Sequence, residues 1–268
     1  MTALLASIAV SLLAAQPAPT AGDLMARMRE AEVKNRQQAA MFVYREDIRH
    51  TETLSDGRVL MRDWVTYEVS MLEGEPYHRR VAIQGEELTE KEQALEEKRY
   101  RAVERYRQKT SLEDRRRKHN AEEENRFKID TRVVLEHHTM RLLGEETVNG
   151  MKVWVVETQP RPGTRKPKRR AEWSLSQRLK YWIDQRSSLP IQLEAEQLYD
   201  FDTARKGTLT QVSFIWLEGV NLPERIVSAG SRKFGQQSVR YETEQRYSGY
   251  QRFGARSVLV WEESAREQ

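Results

Sequence analysis

The chain has 268 residues, 45 Lys and Arg against 41 Asp and Glu, 32% charged side chains and no cysteine. That composition excludes a polytopic membrane protein, a disulfide scaffold, and any zinc-thiolate, iron–sulfur or thiol-nucleophile site. The length fits one ordinary domain, or one domain carrying a large solvated appendage, and a net charge of +4 is a weak field for a chain of this size.

Ala3 to Ala15 is an uninterrupted apolar and small-residue run, followed by turn-forming residues from Gln16 to Gly22. As a helix the run spans roughly 20 Å, short of the ~30 Å bilayer core. It reads as the h-region and cleavage zone of a secretory leader, although no Lys or Arg precedes it. The expectation is a leader over residues 1–21 and an exported mature domain over 22–268. With no cysteine for a lipobox, that domain would be soluble in the periplasm.

Gly22 to Gln38 has Leu24, Met25, Met28, Ala31 and Val33 at helical spacing. The period then becomes two. Phe42, Tyr44 and Ile48 share one strand face. After the Ser55-Asp56-Gly57 turn, Val59, Met61, Val65, Tyr67, Val69 and Met71 alternate with polar residues. A third strand covers Tyr77 to Ile83.

From Leu88 to Asp130 more than half of the residues are charged. Thr89 with Glu92, and Ser111 with Asp114, form N-terminal capping patterns that predict two successive helices. Leu95, Ala102, Val103 and Tyr106 give the first of them a thin apolar stripe. A charge run on a helix is ordinarily a solvated face; the sharper reading is a mobile lid or a partner-docking arm.

Strands are expected to resume at about Thr131. The Asn149-Gly150 pair marks a hairpin, Met151 to Thr158 the return strand, and Arg161 to Arg170 an exposed basic loop. Tyr181 to Asp184 turns through residues 185–190 into Ile191 and Leu193. Three more strands are marked by Val212 to Trp216, Ile226 to Phe234, and Val239 to Tyr247. About ten strands joined by short turns predict a mainly β fold of the α+β kind, a meandering antiparallel open β-barrel with a helical lid and a charged helical insert.

The turn motifs carry a resemblance. Leu143-Gly144-Glu145-Glu146-Thr147-Val148-Asn149-Gly150, Pro160-Arg161-Pro162-Gly163, and Tyr181-Trp182-Ile183-Asp184 with Leu189-Pro190 resemble the strand–loop–strand block of LolA/LolB-like lipoprotein-sorting proteins. RseB-type periplasmic sensors share that fold. The resemblance implies an incomplete barrel whose apolar concave face, under a helical lid, accepts acyl chains.

On the alternating face stand Phe42, Tyr44, Val65, Tyr67, Val69, Tyr181, Ile183, Leu193, Phe214, Trp216 and Tyr241. Residue by residue they read as plain core; as a set, the resemblance implies that they line a lipid cavity. Arg165, Lys166, Lys168, Arg169 and Arg170 are candidates for touching anionic headgroups or a partner. The implied function is a periplasmic, non-enzymatic carrier of lipid or lipoprotein acyl chains, with peripheral membrane contact. The alternative is an RseB-like sensor or scaffold whose charged arm docks a protein, such as a membrane-anchored envelope protein.

Enzymatic readings have little support. There is no H-E-x-x-H, EF-hand, Walker A or G-x-S-x-G motif. The histidines His50, His78, His119, His137 and His138 form no spacing suited to one metal ion, and no cofactor is expected. Nucleic acid is not an expected partner, because no aromatic is interleaved in the basic cluster.

Overall fold

The computed structural model describes residues 18–111, 113–115, 117–118, 129–202, 205–235 and 237–253. The proposed leader lies almost wholly outside these residues, as do His119 and the last part of the charged insert.

The first described element is α1 (Ala21–Ala39), whose N-cap Thr20 and Asp23 form a reciprocal capping box. Strands β1 (Phe42–Leu54), β2 (Val59–Leu72), β3 (Glu75–Ile83) and the two-residue β4 (Glu86–Glu87) follow as a meander. Then come α2 (Glu90–Lys109), α3 (Thr131–His137), and strands β5 (His138–Val148) and β6 (Met151–Pro160). A 3-10 helix (Arg170–Ser176) leads into β7 (Gln177–Asp184), β8 (Pro190–Gln197), β9 (Leu209–Leu217), β10 (Val220–Phe234) and β11 (Gln237–Arg252).

All eleven strands belong to one antiparallel sheet in the order β4-β3-β2-β1-β11-β10-β9-β8-β7-β6-β5. The sheet stays open, with β4 and β5 at its edges. Its one long-range pairing is the first full strand with the last: β1 lies against β11 from Phe42↔Arg252 to Leu54↔Val239. Asn149 and Gly150, with φ of 50° and 78°, make the β5–β6 turn that an Asn-Gly pair favours.

Thr89 and Glu92 form the expected capping box of α2. Residues 131–137, by contrast, are not the expected strand. Asp130 caps α3 through the Arg132 amide, and Val133 and Val134 are buried. Val134 packs in the cluster that holds Leu24, Met25 and Met28 of α1, so tertiary burial outweighs the strand preference of the β-branched residues.

The two large helices lie on opposite faces of the sheet. Leu24, Met25 and Met28 of α1 pack on Val156, Leu179, Tyr181, Ile183, Leu193 and Ala195. On the other face α2 meets Tyr77 of β3, a neighbour of His78, which pairs with Val69 on the α1 side. The helical cover of the α1 face is therefore α1 with α3. The described part of the charged insert packs behind the sheet.

Candidate ligand-binding face

Direct cross-strand partners carry a single row of side chains across ten strands on the α1 face. Over β5 to β9 the row runs Leu142, Val156, Tyr181, Leu193 and Val212. It continues over β10, β11, β1, β2 and β3 as Ile226, Gln245, Ile48, Val65 and Ile83. Nine of the ten are apolar or aromatic. The neighbouring row on the opposite face has Gln192, Ser213, Arg225, Arg246, Asp47 and Thr66 across the middle strands. Along this level of the middle strands the apolar side chains are thus on the α1 side; the opposite face has its own small apolar cluster farther along, of Val153, Val155, Trp182 and Ile191 on β6 to β8.

Cover is uneven along this row. Tyr181 and Leu193 lie beneath α1, and Leu142 and Val212 pack at the edge of the same cluster. Ile226, Ile48, Val65 and Ile83 are half-buried, and none of them belongs to the buried apolar clusters among the described residues.

This division separates the expected ligand residues into groups. Tyr181, Ile183 and Leu193 sit in a space filled by Met25 and Met28, with Phe214 at its margin. Phe42 is buried with Val220 and Leu222 in a second cluster, and Val69 is buried within the sheet. Tyr44, Val65, Tyr67 and Tyr241 are half-buried on the uncovered part, while Trp216 is exposed toward the end of β9. Tyr241 also borders a groove of about 640 Å³ with Gly230, Thr51 and Arg240.

Polar groups border the uncovered row on both sides. On one, His50 Nδ1 lies 2.8 Å from the Thr243 hydroxyl, and Arg232 makes a two-pronged ion pair with Glu52 at 2.6 and 3.1 Å. The Thr210 and Ser228 hydroxyls meet at 2.8 Å, and those of Thr208 and Tyr241 at 2.9 Å. Arg232 and the flanking His50 hold the Glu52 carboxyl below its ordinary range, chiefly through the Arg232 hydrogen bond.

On the other side, Tyr44 packs edge-on against Tyr247, with ring centroids 5.7 Å apart, and at a tilt against Tyr250 at 5.2 Å. His78 approaches Glu46 at 3.3 Å. Burial, reinforced by Glu46, pushes the Tyr44 hydroxyl up to about 12, and burial raises Tyr247 and Tyr250 further. These phenols remain protonated donors beside the apolar row. Ile48, Ile226, Tyr247 and Tyr250 were absent from the sequence-derived site; only strand register places them beside Val65 and Tyr44.

The basic loop is largely neutralised within itself. Arg165 grips Glu172 with two hydrogen bonds at 2.8 and 2.9 Å, Arg169 reaches the same carboxylate, and Arg170 pairs with Asp202 at 2.5 Å. The Lys168 amide donates to Glu172, and the Lys166 ammonium sits 5.1 Å from the Tyr199 ring centre. Arg165, with the Lys168 amide next, holds the Glu172 carboxyl far below the usual carboxylate range.

Among the described residues no group of three or more His, Asp or Glu could hold a metal ion, and no helix is long and apolar enough to cross a membrane.

No protein-family model and no curated protein matches the chain. Solved structures to which it is similar include a DUF1329 family protein from Desulfovibrio piger, at 12% identity over 89% of this chain and 93% of that one, with a TM-score of 0.35. A LolA superfamily protein from Nitrosomonas europaea is 11% identical over 87% and 93%, with a TM-score of 0.35. The MucA/MucB complex of Pseudomonas aeruginosa matches at 11% over 88% and 99%, with a TM-score of 0.25. The LolA group is the one the turn motifs resemble.

Proposed function

We propose that the protein is an exported, non-enzymatic binding protein of the periplasm whose ligand is a lipid or lipoprotein acyl chain. One observation carries this reading: the apolar row on the α1 face continues through Ile226, Ile48 and Val65 beyond the part that α1 and α3 fill. An alkyl chain laid along it is favoured by about 0.8 kcal/mol for each methylene removed from water. The hydroxyls of Tyr44, Tyr67 and Tyr241 beside the row suit a polar headgroup or ester. The site is therefore the uncovered half of the α1 face, and Tyr181, Ile183 and Leu193 serve it as the floor on which α1 is seated.

Binding of a fluorescent fatty-acid probe to delipidated protein tests the proposal. Ile226→Glu should weaken the probe about tenfold or more, since a carboxylate would then stand in the apolar row. Gln192→Glu, on the opposite face, should bind as the parent does. Equal binding by both variants, or no binding by the folded parent, overturns the reading.

A further inference from the structure

Helix α2 is seated in an unusual way. It meets the sheet through polar and aromatic groups. Glu96, only 2% exposed, accepts from the Tyr77 hydroxyl at 2.7 Å. Tyr100 packs edge-on against Tyr77, and Arg107 donates to the carbonyls of Leu72, Glu75 and Pro76, each at 2.9 Å. Most of the apolar stripe of the same helix points elsewhere: Leu95 is 56% and Tyr106 43% exposed, with exposed Ala102 between them, while Val103, seven residues from Glu96, is half-buried.

On one flank of that stripe the charges are of one sign. Lys91, Lys98 and Arg105 are exposed and stand seven residues apart, on one flank of Leu95 and Ala102, with Lys109 at the helix end. None of these four has an ion pair among the described residues, whereas Arg99 and Arg101 on the same helix pair with Glu96, Glu97 and Glu104. Seven residues make two turns, so apolar positions and cations form two parallel lines along the helix.

We propose that this outward face of α2 docks an acidic amphipathic helix of a partner protein. The partner's apolar seam covers Leu95, Ala102 and the part of Tyr106 that the Lys118 ammonium, 4.9 Å from its ring centre, leaves open, and its carboxylates, repeating every seven residues, meet Lys91, Lys98 and Arg105. Ala102 at the centre of the seam permits close approach of the second helix. A membrane surface fits less well, since a helix lying in a bilayer interface presents a broad Trp, Phe and Leu face and this stripe holds one leucine. The inference is independent of acyl-chain binding, which uses the other face of the sheet.

The test uses the whole protein and a synthetic acidic helical peptide of about 21 residues, long enough for three heptads. Its leucine seam is flanked by glutamates at seven-residue spacing, and binding is read by fluorescence anisotropy. The parent should bind it in a salt-sensitive manner. The exposed triple variant K91E/K98E/R105E, checked for folding by circular dichroism, should lose about tenfold or more in affinity and gain binding to the charge-reversed peptide. Equal binding of a sequence-scrambled peptide, equal binding by the triple variant, no binding at all, or binding only to phosphatidylglycerol vesicles would each overturn the proposal.

Discussion

The Tyr77 hydroxyl donates to the Glu96 carboxylate at 2.7 Å, and both side chains are almost fully buried between β3 and α2. A helix whose charged residues outnumber its apolar ones is thus held by one satisfied carboxylate, by arginine–carbonyl contacts and by a pair of tyrosines packed edge to face. Burial, with Glu96 as the next cause, raises the Tyr77 hydroxyl to about 12, so it remains a donor throughout the neutral range.

Tyr77→Phe should therefore destabilise the protein by about 1–3 kcal/mol, because it removes a donor from a buried carboxylate while keeping the ring. Urea denaturation measures the loss, and hydrogen exchange should show it concentrated in α2. An unchanged midpoint would mean that Glu96 is satisfied by Arg99 alone.

His138 supplies the clearest pH dependence. It is 1% exposed; its Nε2–H donates to the Ser174 carbonyl and its Nδ1 accepts from the Thr158 hydroxyl, each at 3.1 Å. Burial lowers its pKa to about 4. In the unfolded chain the imidazole takes up its proton near pH 6.5, so between these values the unfolded state binds more protons and stability falls as pH is lowered. The expected loss is on the order of 3 kcal/mol between pH 7 and pH 4. His138→Gln should flatten the curve between pH 6.5 and 4.5, and a variant with the parent's slope in that window would refute the assignment.

Gly230 leaves room for Tyr241, its direct partner on β11. A Cβ at this position would come within 2.6 Å of the Thr208 hydroxyl and 2.7 Å of the Tyr241 hydroxyl, two atoms that bond to each other at 2.9 Å. Gly230→Ala should cost about 1–3 kcal/mol through overpacking and turn the Tyr241 ring away from its place beside the row. Thermal melting and tyrosine fluorescence would report the two effects. A melting temperature equal to that of the parent would show that the hydroxyl pair yields freely.

Local order was legible in the residues themselves. The alternation from Val59 to Met71, the Asn149-Gly150 turn and the Thr89–Glu92 cap each depend on neighbours within a few positions, and β2, the β5–β6 hairpin and the start of α2 follow from them. Alternation also identified Val65, Tyr67 and Val69 as sharing a face. Thr131–His137 is helical although Val133 and Val134 favour strands locally, because burial of Val134 against α1 decides the matter.

Which face matters was decided only by the tertiary structure. The eleven candidate ligand residues have the same character in sequence. Yet Tyr181 lies beneath Met25 and Met28 while Val65 is left half-open, because α1 covers some strands of one continuous sheet and not others. The sequence determined a meandering antiparallel sheet with apolar residues on one side, since side chains alternate along any strand. The pairing of β1 with β11, nearly two hundred residues apart, decided which of those residues share a row. The seating of α2 through Glu96 likewise turned Leu95, Ala102 and Tyr106 outward, because a satisfied buried carboxylate and arginine–carbonyl contacts held the helix more firmly than three small apolar contacts would.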